Sequence, residues 1–397
     1  MPRTQTRPAA HRRASTSRSR NRHVASLRYR ATEPLLSPQI LSNIQRVLDE
    51  RYLSPGAWVS AFERRWAEVC GVRHAIATSS GTAALHVAFR ALSLGPGDEV
   101  IVPAMTCPDT LHAATFVGAR PVIVDIEPER YGMDPRRVEA AITPRTKAIV
   151  PVHLYGCPVL PEIVAIGRRR GLLVVEDAAE AHGANSGGRR TGALGDAGCF
   201  SFRGDKVLGI GTGGMITTND DALARRAHYM LGMASPGGFD RYLSTELGLS
   251  YEMSNVHAAI GVAQIDMLGP TLEAKRRIAA WYDERLSEDE FDKPALIPGH
   301  VWWRYSVLLK RGDTRAVHAR LLRAGIETMP PFAPMYRIPM YRTGYDPAEF
   351  PVAEDAYQRL LSLPISPYLR RSDIEFIIDE LRRAMRASRS SRARVVA

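Results

Sequence analysis

The sequence predicts an α/β protein: a large domain, residues 31–270, on a mainly parallel sheet, then a smaller C-terminal α+β domain, residues 271–385. Three observations lead there. Between residues 74 and 218 short apolar runs alternate with stretches of helical periodicity, the pattern of strands joined by crossover helices. From about Ala295 the character changes to a strand, a helix and a proline-rich loop. A chain of 397 residues is long enough to bury a core in two lobes.

Taken in order, Ser37 to Leu53 has helical spacing in Ile40, Leu41, Ile44, Val47 and Leu48, and Ser54-Pro55-Gly56 breaks it. A second amphipathic helix is expected from Val59 to Cys70, ending at Gly71. His74–Thr78 reads as a strand, Ser79-Ser80-Gly81-Thr82 as a small polar turn, and Ala83–Ser93 as a helix. Strands are expected over 99–103, 120–125, 148–153 and 172–176, with helices over 135–142 and 161–170 between them. In the second half Val301–Leu309 reads as a strand, Thr314–Ala324 as a helix, Met329–Tyr341 as a loop and Asp373–Ala387 as a closing helix. No internal repeat is visible.

The formal charge of +11 suggests nucleic acid until its location is considered. Residues 1–30 hold nine arginines and residues 386–397 hold four, with no acidic residue in either; removing those thirteen leaves −2 for the body. The basic balance belongs to Arg/Ser-rich tails that cannot form a core, expected to be disordered at the N-terminus. No nucleic-acid partner is therefore expected for the folded part. An acid-free leader of this kind also matches an organellar transit peptide or an upstream start codon. No run of eighteen apolar residues points to a membrane span. Cys70, Cys107, Cys157 and Cys199 are scattered without a CxxC pair, so neither a metal site nor a disulfide framework is expected, and the reducing cytoplasm is the default location.

The chemistry centres on Cys199–Met215. Lys206 is the only lysine between Lys147 and Lys275 in a chain that otherwise favours arginine. Arginine stays protonated, whereas a desolvated lysine can become a nucleophile. Phe200 and Phe202 alternate with small residues as in a buried strand, and Gly209, Gly211, Gly213 and Gly214 would let backbone approach a flat ligand. Gly209, Gly211 and Gly214 also spell GxGxxG, but the β-branched Met215–Thr218 follows where a dinucleotide site needs a helix.

Two more features complete a set. A strand, a small turn and a helix start near Gly81 present free backbone N–H groups to an anion, although an N-cap by Ser80 or Thr82 gives the same pattern. Asp177 ends an apolar strand, either as a turn cap or as a functional carboxylate. A strand-end aspartate, a lysine about thirty residues later and an anion-holding helix start are what a pyridoxal phosphate enzyme requires.

Ser80–Leu85, Gly97–Pro103, Pro151–Gly156, Glu176-Asp177-Ala178-Ala179, Phe200-Ser201-Phe202 before Lys206, Gly213-Gly214-Met215, Phe350–Glu354 and Ser362-Leu363-Pro364 occur in the order found in the DegT/DnrJ/EryC/StrS sugar aminotransferases, which this chain resembles over residues 31–385. The resemblance implies the fold-type I architecture, with a mainly parallel sheet of the seven-stranded type, and a homodimer with shared active sites. It implies Lys206 as the Schiff-base lysine and proton carrier, and Asp177 as partner of the pyridine nitrogen. Gly81, Thr82 and Ala83 would hold the phosphate with Ser201, and Glu180 would stand beside the phenolic oxygen.

Three stretches depart from the family pattern. Cys107 stands where an aromatic ring commonly stacks on the cofactor. Gly248–Met253 carries Ser250 where an asparagine reaches the neighbouring subunit's phosphate, and Glu252 where an arginine is usual. Tyr336 replaces a histidine of the substrate loop. The implied activity is transfer of an amino group from glutamate or glutamine to a keto-sugar, with a nucleotide-linked 4-keto-6-deoxyhexose as the expected acceptor. Val301–Tyr305 and Gly325–Pro330 resemble the GDP-perosamine synthase branch. A keto-cyclitol acceptor and a pyridoxal phosphate-binding regulatory homologue are the alternatives. A related dehydratase carries histidine where Lys206 stands.

Overall fold

The computed structural model describes residues 27–393. The expected N-terminal tail falls largely outside them. Seven strands form the main sheet: β1 His74–Thr78, β2 Glu99–Pro103, β3 Arg120–Val124, β4 Thr146–Ile149, β5 Leu173–Asp177, β8 Ala197–Ser201 and β9 Gly214–Thr218. A two-stranded hairpin, β6 Asn185–Ser186 and β7 Arg189–Arg190, lies between β5 and β8 in sequence. The spatial order is β1-β9-β8-β5-β4-β2-β3, and only β9 runs against its neighbours. Every residue of β2 and β9 is buried, so these strands carry apolar runs rather than alternation, as expected of a sheet covered on both faces.

The reversed β9 settles the glycine-rich segment. It leads into a strand, not a helix, and Gly209 and Gly214 serve close approach within the chain. A Cβ on Gly214 would stand 2.1 Å from Ser80 O, and one on Gly209 would stand 2.7 Å from Gly204 O. At Gly209 and Gly214 the expectation of room for a ligand gives way to this packing, whereas Gly213 lines the cleft described below.

A second sheet, β10 Phe291–Asp292, β11 Tyr305–Leu309 and β12 Leu360–Leu363, is antiparallel and packs with the helices Thr314–Arg323 and Arg371–Ala393. Tyr29 enters its core: the residue is buried, bridges to Ile326, and donates its hydroxyl to Asp373 Oδ1 at 3.1 Å. Residues 27–30, expected in the tail, therefore include a packed anchor, and the closing helix extends to Ala393, inside the expected basic C-terminus.

Several boundaries moved for identifiable reasons. Val301–Arg304 is not strand, because Trp302 adopts a left-handed φ of 54° that turns the chain before β11. The helix near residue 83 starts at Gly81, with Ser80 as N-cap. Pro108–Phe116 is a helix with proline at its first turn, which its short, weakly amphipathic sequence did not announce. Pro351–Arg359 is likewise helical.

Beneath the C-terminal end of β8 lies an aromatic cluster. Phe62 and Trp66, from the helix Ala57–Cys70, pack on Phe202 at centroid distances of 5.0 and 4.9 Å, and Trp66 meets Phe200 edge-on at 5.1 Å. Full burial of each such ring stabilises by roughly 1.5–3 kcal/mol. His182 stacks on Phe202 at 5.2 Å, and burial drives its pKa down to about 3, so it is a neutral imidazole there.

Candidate active site

The C-terminal ends of β1, β5 and β8 converge on one cleft, lined among others by Gly81, Thr82, Cys107, Asp177, Glu180, Ser201 and Lys206. A larger hollow of about 690 Å³ lies in the small domain beside Arg311, Arg315 and Tyr357 and holds none of these groups.

The helix Gly81–Ala91 opens onto the cleft. Ser80 Oγ accepts the Ala83 N–H at 3.1 Å, which removes Ala83 from the groups able to bind an anion. The N–H groups of Gly81 and Thr82 have no acceptor among the described residues, as expected of a first helical turn. A Cβ on Gly81 would stand 2.7 Å from Ser201 Cβ, so only glycine lets the serine close on this helix start. Ser79 N–H donates to Tyr251 O at 2.7 Å and Thr212 hydroxyl to Ser79 O at 3.0 Å, fixing the turn from two sides. Anions are favoured at such a terminus.

Asp177 is the last residue of β5 and is buried. Its Oδ2 accepts the Thr110 hydroxyl at 2.7 Å and its Oδ1 the Ala179 N–H at 3.2 Å. No cation stands within 4 Å of it among the described residues. Burial pushes its carboxyl up, and the Thr110 bond pulls it partly back. A buried carboxylate held at its rear and aimed into a cleft is a receptor for a cation.

Lys206 is buried in the loop between β8 and β9, with Nζ 3.5 Å from Glu180 Oε1 and 4.1 Å from the centre of the Trp303 ring. Glu180 Oε2 accepts the Tyr155 N–H at 2.8 Å. Burial raises the Glu180 carboxyl, with the charges of Lys206 and then Arg304 opposing it. Tyr155 is left-handed, with φ 58°, and a Cβ on Gly156 would stand 2.8 Å from Trp303 N. This Tyr-Gly turn is what seats Trp303 against the lysine.

Glu176, one residue before Asp177, points into the protein. It accepts N–H bonds from Gly192, Leu194 and Gly195 at 2.7–2.9 Å and faces His153 Nε2 at 3.0 Å. Strand alternation thus assigns one acid to the scaffold and the next to the cleft.

The remaining candidates divide. Cys107 lines the cleft with its thiol donating to Asp109 Oδ2 at 3.2 Å, and burial lifts that thiol to about 12, so it is no thiolate. Ser250 and Glu252 are exposed outside the cleft. Tyr336 is buried and donates to Glu354 Oε1 at 2.6 Å. Thr110, Trp303, Phe332 and Arg203 border or support the cleft without having been singled out from sequence. The only advance signal among them was the Trp302-Trp303 pair. Among the described residues no group of three or more His, Cys, Asp or Glu is placed to hold a metal ion, and no helix is long and apolar enough to cross a membrane.

Comparison with known proteins agrees with this geometry. The GDP-perosamine synthase of Caulobacter vibrioides is 43% identical over 340 residues, covering 83% of this chain and 90% of that protein. The UDP-N-acetyl-3-dehydro-alpha-D-glucosamine 3-aminotransferase of Acidithiobacillus ferrooxidans is 38% identical over 375 residues, covering 92% and 99%. Among solved structures, DesV of S. venezuelae in complex with a ketimine intermediate superposes with a TM-score of 0.81 at 35% identity, covering 87% of this chain and 94% of that one. The profile of the DegT/DnrJ/EryC1/StrS aminotransferase family matches residues 34–382, and the chain belongs to that family.

Proposed function

We propose that the protein binds pyridoxal 5'-phosphate in this cleft and moves an amino group from glutamate or glutamine to the ketone of a nucleotide-linked sugar, with a 4-keto-6-deoxyhexose as the favoured acceptor. One observation carries the reading: a buried amine, a buried carboxylate with no cation within 4 Å among the described residues and an open helix N-terminus face a single space. These three fit the aldehyde, the pyridine nitrogen and the phosphate of the cofactor. Bound, pyridoxal phosphate supplies an electron sink for exchange of the amino group.

Lys206 is the attachment point and carries the proton at Nζ, with Glu180 as its anionic neighbour. Asp177 holds the ring nitrogen's proton, and Thr110 holds Asp177. The Gly81 and Thr82 N–H groups and Ser201 bind the phosphate. Trp303, against the lysine, shields it from water. In this scheme residues 31–270 form the cofactor-binding domain and residues 271–385 the small domain. The acceptor class is suggested by the relatives, whose names each contain a nucleotide-linked sugar.

The proposal includes a homodimer. Phe239, Tyr242, Leu243 and Leu247 form an exposed apolar stretch next to Ser250, and a second copy covering it would bring Ser250 toward a neighbouring cleft.

The test is an absorption spectrum of the protein with pyridoxal phosphate, beside Lys206→Ala, before and after glutamate. The expected result is a long-wavelength band in the wild type that glutamate discharges and a nucleotide-linked 4-keto sugar restores, with no lysine-linked band in the variant. A protein that stays colourless with added cofactor overturns the reading.

A further inference from the structure

Apart from Lys206, Arg203 is the only cationic side chain that lines the cleft among the described residues. Asp109, Asp177 and Glu180 line the same space, so an anionic molecule entering it meets three carboxyl groups. Both substrates of the proposed reaction are anionic. In that reaction Lys206 serves the aldehyde and the Gly81 helix start serves the cofactor's phosphate, which leaves Arg203 as the counter-charge for a substrate.

Its guanidinium is fixed on one edge and free on the other. Nε and Nη2 donate to Asp205 Oδ1 and Oδ2 at 2.6 Å each, which occupies one forked edge of the group. The second edge, formed by Nη1 with the other proton of Nη2, has no acceptor among the described residues. The backbone beneath is pinned: Phe202 N–H donates to Gly213 O at 2.8 Å, Gly204 N–H to Gly211 O at 3.1 Å and Lys206 N–H to Arg203 O at 2.9 Å. Trp303 Nε1 donates to Asp205 O at 2.8 Å. Asp205 thus aims the guanidinium from the same turn that carries Lys206. The Arg203 side chain is 65% exposed, so a molecule entering the cleft reaches the free edge without displacing a packed group. The charge is also felt inside the cleft: Asp205 does most to raise the guanidinium's pKa, and Glu180, beside the lysine, adds to it.

We infer that the free edge of Arg203 receives an oxyanion of the substrate reacting at Lys206, a carboxylate of the amino donor or the diphosphate of the nucleotide-linked acceptor, an inference that rests on the transaminase reading above. Both groups present two oxygens side by side, which is what a forked edge pairs with. The two half-reactions follow one another, so a single edge can meet either substrate.

The test compares the wild type, Arg203→Gln and Arg203→Lys, each loaded with pyridoxal phosphate. Arg203 is exposed and lies outside the groups assigned to the cofactor, so all three are expected to show the long-wavelength band. Calorimetry then follows two non-reacting probes, glutarate for the donor and GDP for the acceptor. In Arg203→Gln the affinity for at least one probe is expected to fall about 10- to 100-fold, with Arg203→Lys, which keeps the charge but not the fork, lying between. Added salt is expected to weaken that probe in the wild type and to lose this effect in Arg203→Gln. A loss confined to glutarate assigns the edge to the donor, one confined to GDP assigns it to the acceptor, and a loss of both assigns it to each in turn. Unchanged affinity for both probes in Arg203→Gln overturns the inference, as does a wild type that binds neither. A loss for GDP alone that is matched for uncharged guanosine also overturns it, since the site is then disturbed rather than deprived of a charge. A wild type whose cofactor band neither glutamate nor glutamine discharges overturns the transaminase reading itself, and this inference with it.

Discussion

Lys206 Nζ lies 3.5 Å from Glu180 Oε1, with both side chains buried in the same cleft. Because burial is the largest influence on Glu180, its carboxyl ionises above the ordinary glutamate range. Above that value the carboxylate faces the lysine as an anion; below it the pair is lost. The acid limb of the donor half-reaction is therefore expected to lie above the usual glutamate pKa in the wild type and to disappear in Glu180→Gln. That variant is expected to be slower by about 10- to 100-fold at neutral pH. A pH profile of single-turnover rates checks this, and an unmoved limb in Glu180→Gln would assign it elsewhere.

Asp177 depends on Thr110, whose hydroxyl reaches Oδ2 at 2.7 Å and also stands 2.9 Å from the Thr106 hydroxyl. Thr110→Val keeps the shape but leaves that carboxylate oxygen without its donor and moves the carboxyl further up. Stability is expected to fall by about 1–3 kcal/mol and cofactor affinity by about 3- to 10-fold. Thermal unfolding and a spectroscopic titration with pyridoxal phosphate measure the two effects, and unchanged values in both would remove Thr110 from the site.

Lys275 is buried with Nζ bonded to Ile365 O at 3.1 Å and Thr32 Oγ1 at 3.3 Å, and desolvation lowers its pKa to about 7. In the unfolded chain an ordinary lysine keeps its proton to about pH 10.4. Between pH 7 and 10 the unfolded state thus binds more protons than the folded one, and this residue makes stability rise with pH. Below pH 7 its cost is present in full. Lys275→Met is expected to gain about 1–4 kcal/mol at pH 6 and to flatten that rise. Calorimetric melting from pH 6 to 10 decides it, and parallel curves for the two proteins would contradict the assignment.

Much of the architecture and the chemistry was legible in the chain itself. The alternation of apolar runs and helical stretches gave the large sheet nearly strand by strand, because strands buried on both faces must be apolar throughout. Lys206, Asp177 and the Gly81 turn stood out because each lies at or just after the end of a strand and only a few residue types can do what the chemistry there requires. Elements defined by contact rather than by local pattern were not legible. Thr110 is unremarkable in sequence, and the Trp302-Trp303 pair does not announce its place; a short helix and the left-handed turn at Trp302 bring Thr110 and Trp303 to the cleft. Arg304 reads as one arginine among many. Only the fold buries it against three rings, since the distance between side chains remote in sequence is set by tertiary packing and by nothing local.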